Sequence, residues 1–248
     1  VFSAIVESDV PIAASVIEEN PDVMFAYSGF ASGSTNPVMP LINANNSGYQ
    51  TGVQIQNVGD VQTSVTVSYT PADGTACTET QTIPAKSSKT FALAAFANGA
   101  NSTCIPLARF VGSAEVSVNS ANQPLVAIVN QLRAGLNGEA YGAFDPAAAN
   151  ETVVMPLIMD RNGGYFTGFN IMNVGSTSTT VNCTFTGTTY SVSDTLSPGE
   201  ALNALQLGQI ANAYVGSGTC TAGTGAQIVG VVNELGSSST SDQLLTYE

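Results

Sequence analysis

The residues that most enzymes use for chemistry are nearly absent from this chain. There is no histidine and no tryptophan among its 248 residues. The commonest general base and metal-binding imidazole is therefore missing, and a Ser-His-Asp arrangement cannot be assembled. No G-x-S-x-G, phosphate-binding loop or dinucleotide-binding glycine pattern occurs. Paired carboxylates can hydrolyse glycosides. Glu18 and Glu19, however, are adjacent and would point to opposite faces of a strand. Asp60, Asp73, Asp145, Asp160, Asp194, Glu200 and Asp242 fall beside turn residues, which predicts solvent-exposed turn chemistry. Asp160 and Asn162 in MDRNGG could offer hard oxygen ligands to calcium. Arg161 between them argues against it, as does NANNSG, which carries no carboxylate at the matching place. No catalytic residue, cofactor site or metal site is assigned.

Two other kinds of reactive group remain. Cys77, Cys104, Cys183 and Cys220 lack the C-x2-C spacing of a zinc site. They are read as two disulfides rather than free thiols, which implies an oxidising, extracellular setting. N-x-[ST] sequons at Asn45, Asn101, Asn150 and Asn182 mark candidate positions for covalent glycans. Tyr49 and Tyr165 hold matching places in a repeat. A Tyr flanking a strand packs at the rim of the core; stacking on a sugar ring is the alternative.

Composition narrows the partners. Charged residues make up 9% of the chain, against roughly 25% in ordinary globular proteins. The net charge is −13, and the basic residues are Lys86, Lys89, Arg109, Arg133 and Arg161. Such a chain has no basic stripe for nucleic acid and is repelled by anionic membranes. Its apolar runs, such as LVAIV at 125–129, are too short to span a bilayer. The start of the chain shows no charged-then-apolar leader pattern, and the expectation is a mature secreted protein.

The elements that would position these groups are set by an internal repeat. VMPLINANNSGYQTGVQIQNVG (38–59) returns as VMPLIMDRNGGYFTGFNIMNVG (154–175), identical at 14 of 22 positions. Alternating β-branched stretches come next, SVTVSY (64–69) and TVNCTF (180–185). The match continues through FVGSAEVSV (110–118) with YVGSGTCTA (214–222), and LVAIVN (125–130) with IVGVVN (228–233). In this alignment Cys183 stands opposite Val67 and Cys220 opposite Val116. Both Val positions are inward, so Cys183–Cys220 is expected as a core bridge. Cys77–Cys104 would staple an insertion peculiar to the first copy. Short alternating runs between turn signals predict antiparallel strands nearly throughout. Only FALAAFAN (91–98) and ALQLGQIANA (204–213) suggest a turn or two of helix.

A third piece is surplus. SDVPIAASVIEE (8–19) resembles SANQPLVAIVNQ (120–131), and AYSGF (26–30) resembles AYGAF (140–144). Residues 1–19 therefore read as closing strands whose body lies elsewhere, and residues 244–248 as the start of a further repeat.

The G-Y-x-T-G-x-x-I-x-N-V-G element (48–59 and 164–175), with V-T-V-S-Y or V-N-C-T-F after it, resembles tandem β-sandwich repeats of secreted bacterial surface and appendage proteins. The resemblance implies extracellular scaffolding, adhesion or appendage building. The resulting expectation is an all-β protein of two tandem antiparallel Ig-like sandwiches. Residues 1–30 form a strand segment, 31–145 the first sandwich and 146–248 the second. The expected role is an extracellular, non-enzymatic subunit that joins copies of itself head to tail by strand exchange. Ile5, Val10, Ile12, Ala14 and Val16 would be the inserting side chains. A cell-surface adhesin or carbohydrate-binding module is the alternative.

Overall fold

The computed structural model describes residues 3–19, 21, 23–93, 96, 102–106, 108–133, 136–237 and 243–248. It is an all-β structure; the one helical turn among these residues is a 3₁₀ turn at Pro146–Ala148. A short hairpin comes first, β1 (Ser15–Glu19) and β2 (Met24–Ser28). Then comes the first set of eight strands: β3 (Val38–Ala44), β4 (Tyr49–Asn57), β5 (Thr63–Pro71), β6 (Cys77–Ile83), β7 (Ser88–Phe91), β8 (Phe110–Val118), β9 (Leu125–Arg133) and β10 (Asn137–Gly142). The second set is β11 (Thr152–Asp160), β12 (Tyr165–Asn173), β13 (Thr179–Phe185), β14 (Ser191–Leu196), β15 (Ala201–Leu205), β16 (Tyr214–Thr221), β17 (Ile228–Gly236) and β18 (Leu244–Tyr247).

The sequence repeat becomes a repeat of topology. In the first half the sheets run β3-β8-β5-β6 and β10-β9-β4-β7. In the second they run β11-β16-β13-β14 and β18-β17-β12-β15, with every pairing antiparallel. Each half buries one face of both its sheets around a single apolar cluster. Met39, Ile42, Val53, Ile55, Tyr69 and Phe91 lie in the first, and Met155, Ile158, Phe169, Ile171, Phe185 and Val232 in the second. Alternation explains why: along β13, Thr179, Val181, Cys183 and Phe185 point inward while Thr180, Asn182 and Thr184 face water. The strand order keeps two pairings of an Ig domain, with β4–β7 standing as B–E and β5–β8 as C–F. It differs at the first, fourth and seventh strands, because β3 pairs with β8, β6 with β5 and β9 with β4.

The repeated 22-residue motif supplies the turns that hold this order. Between β3 and β4, Gly48 sits at φ 86; between β11 and β12, Gly164 sits at φ 89. Both are left-handed conformations that glycine adopts without a Cβ clash. The NVG that ends each copy does more than turn the chain. Asn57 and Asn173 are fully buried. The Asn57 amide donates to the carbonyls of Val61, Ile83 and Pro84, and its oxygen accepts from Gly59 N–H. Asn173 donates to Thr177 and Leu196 and accepts from Gly175. One side chain thus clamps the end of one sheet to the other.

Three expectations change. Residues 204–213 form no helix: Ala201–Leu205 pairs with β12, whose backbone offers a full row of partners, and Gly208 at φ 78 interrupts the segment beyond it. Of FALAAFAN, Phe91 ends β7, while residues 94, 95, 97 and 98 lie outside the described residues. Residues 244–248 do not open a new repeat. Leu244–Tyr247 is the eighth strand of the second half, paired with β17 as β10 is paired with β9.

Candidate assembly interface

Both halves are closed by the same device. β3 carries a bulge between Met39 and Ile42, and β11 one between Met155 and Ile158. A bulge leaves backbone groups outside the ladder, and here they are those of Leu41 and Leu157. The hydroxyl of Tyr141, on β10, donates to Leu41 O at 2.6 Å and accepts from Leu41 N–H at 3.2 Å. Tyr247, on β18, does the same for Leu157, at 2.5 and 3.3 Å. Burial raises the Tyr141 phenol far above its usual range and pushes Tyr247 up to about 12. Each hairpin therefore locks into its own sandwich through a tyrosine. In register terms, Val129 faces Tyr141 and Val232 faces Tyr247.

The two halves meet along a polar and apolar seam. β3 and β8 lie across the outer face of the β15-β12-β17 sheet, and β10 lies beside β18. Val38 packs with Met172 and Val229, flanked by Phe144 and Val174. Val231 of the second half is part of the first half's core. Gln131 and Asn233 exchange two amide hydrogen bonds, at 3.1 and 2.9 Å. Ser113 donates to Gly199 O at 2.5 Å, and Gly142 N–H donates to Glu248 at 2.6 Å. Desolvation raises the carboxyls of Glu115 and Glu248 at this seam. Glu234, two strand positions beyond Val232, is pushed up to about 7 by burial, with an opposing hydrogen bond from Thr167.

The N-terminal hairpin meets the first half in the same way. Val23 and Phe25 cover Ile128 and Ala140 on the outer face of β9–β10, where the matching Val231 is covered by the first half. Asn130 donates to Glu18 at 3.5 Å, as Asn233 donates to Gln131. Val16 faces Tyr27 in β1–β2, the same pair again.

Among the described residues no sandwich covers the core-type row of the N-terminal hairpin. In β9 the core-facing row is Leu125, Ala127, Val129 and Gln131, none more than 1% exposed. The matching row in the N-terminal segment is Ile12, Ala14, Val16 and Glu18, and all four are exposed. Ile12 reaches 53% and Val16 36%. Upstream, residues 3–14 form no strand, and Ile5 and Val10 are 47% and 61% exposed. The five side chains singled out in the sequence thus form one exposed apolar run, of which Val16 alone lies in a strand.

The other sequence-derived positions play local parts. Cys77 is bonded to Cys104 and Cys183 to Cys220. Cys183 and Cys220 face each other across β13 and β16, where β5 and β8 pair Val67 with Val116. Asn45, Asn150 and Asn182 are exposed, and Asn101 lies outside the described residues. Tyr49 is packed, not offered: its ring lies 5.8 Å below the Arg133 guanidinium and its hydroxyl reaches Asn137.

Asp160 departs from the expected exposed turn. It is fully buried and accepts from Gly208 N–H, Ile210 N–H and Arg161 Nε, each at 2.8 Å. Burial would raise its carboxyl, but these hydrogen bonds and the Arg161 charge outweigh that and hold it below the usual range. Its oxygens are committed to the 206–210 loop and to the Arg161 guanidinium. Asp242 lies outside the described residues.

Among the described residues no cluster of three or more Cys, Asp or Glu is arranged for a metal, and no helix is long and apolar enough to cross a membrane. Two depressions, of about 120 and 260 Å³, lie at the two seams. Both are below the roughly 300–1,000 Å³ of small-molecule sites. No protein-family model, curated protein or solved structure matches this chain.

Proposed function

We propose that this is an extracellular structural protein that builds a filament or surface layer, the N-terminal segment of one unit completing the β-structure of the next. In its finer form the proposal has two tandem sandwich domains with Ig-related pairings, 31–145 and 146–248, and residues 1–30 as the joining segment. The observation that carries it is the exposed core-type row Ile12-Ala14-Val16, continued upstream by Ile5 and Val10. Fully burying a Val or Ile side chain is worth about 1.5–3 kcal/mol. A row of them left in water is a standing driving force for β-augmentation. Two disulfides fit an oxidising environment. The low charge content removes the Lys and Glu that ordinarily discourage edge pairing.

Electron microscopy of the purified chain beside Ile12→Asp/Val16→Asp tests the reading. Both positions are exposed, so the substitutions spare the folded halves. Filaments or sheets from the parent and separate two-lobed particles from the variant are expected. Separate particles from both would reject assembly and favour a monomeric binding module.

A further inference from the structure

We propose that the β1–β2 hairpin is the seat of a six-stranded β-body of this same repeat, equivalent to β11–β16, whose proline-containing bulge takes the Tyr27 hydroxyl. The inference names the partner of the joining segment and so rests on the assembly reading; because β9–β10 and β17–β18 close both bodies of this chain, a second copy accepts β1–β2 only where one of its own closing hairpins gives way. Its basis is a threefold correspondence. Val16–Tyr27, Val129–Tyr141 and Val232–Tyr247 are the same cross-strand pair in three hairpins. In two of them the tyrosine caps a Pro-Leu bulge of a six-stranded body. In the third, the Tyr27 hydroxyl meets no bulge among the described residues.

The face that would receive the body is apolar where it must be. Ile12, Ala14 and Val16 stand where Leu125, Ala127 and Val129 close the first core. The hairpin already rests on the first half, through Val23 and Phe25 over Ile128 and Ala140 and through Glu18, which accepts from Asn130, as Asn233 donates to Gln131 between the halves. A body seated on β1–β2 would therefore continue an established interface. Glu18 fits the same scheme, since its counterparts Gln131 and Glu234 are both buried polar residues at that row's end. A lone edge strand from a second copy is a poorer occupant. It would pair with backbone but would bring neither a bulge for Tyr27 nor a sheet to cover the row.

The test uses the full chain with residues 146–221 fused ahead of Val1, so that β1–β2 comes directly after a body that lacks its own closing hairpin. A control carries the same segment after Glu248 together with Val16→Asp, so that no working hairpin, of its own chain or of another copy, can close it. Hydrogen exchange read by mass spectrometry reports folding of the added strands. Protection of the added strands in the first protein and its absence in the control is the expected result. Val16→Asp should abolish that protection, and Tyr27→Phe should weaken it, while residues 31–248 exchange as before. Added strands that exchange like an unfolded chain ahead of β1–β2 would overturn the proposal. So would equal protection in both proteins, or protection indifferent to Val16→Asp. Microscopy of the unfused chain reads assembly between copies separately, so either idea can fail alone.

Discussion

At the scale of single residues, buried polar groups in turns carry more of the structure than their types suggest. Asn173 ties the 173–177 turn to Leu196. Asn173→Ala leaves those carbonyls unpaired in a buried site, and a loss of about 2–3 kcal/mol is expected in denaturant unfolding. Asp160→Ala should cost a similar amount, because three donors lose a charged acceptor. Glu234 gives a pH signature. Its native pKa is about 7 against 4.5 for the free group. The native state therefore holds this proton more tightly than the unfolded chain. Its contribution is complete below about pH 4.5 and is lost as pH rises to about 7, by at most about 3 kcal/mol. Glu234→Gln, which installs the side chain found at Gln131, should flatten that part of the stability profile and exceed the parent above pH 7. None of these three roles was legible in the sequence. Asn, Asp and Gly beside a strand end read as surface turn chemistry, and only the folded chain shows which of them point inward.

Among elements, the strands and their facing were legible because alternation is strong in β5 and β13. The core disulfide was legible because the repeat set Cys183 and Cys220 against two inward valines. Replacing both with valine copies the first half's Val67–Val116 contact. The double variant should keep its fold and lose about 3–4 kcal/mol, as the chain-entropy model gives for cysteines 37 positions apart. Thermal unfolding with and without reductant checks it, since the parent should fall toward the variant once reduced. Sheet order was not legible. β8 lies between β3 and β5, and β9 beside β4, over long sequence separations that no local pattern encodes. The false helix at 204–213 has the same origin: a short apolar run fits either period, and the free edge of β12 decided it.

Across the whole molecule, the seam geometry is used twice within one chain, once between the halves and once between the N-terminal hairpin and the first half. The surplus strand could be read from the sequence because its residues match 120–144. The matching seam could not, since it depends on outer faces that only pairing creates. Assembly as proposed requires that the row Ile12-Ala14-Val16 become buried when units join. The decisive experiment is hydrogen exchange of residues 3–19, compared between assembled and dispersed material of the same chain. Fast exchange is expected in dispersed units and strong protection on assembly, confined to this segment and its new partner surface. Equally fast exchange in both, in material that microscopy shows to be assembled, would mean that the units join through some other surface.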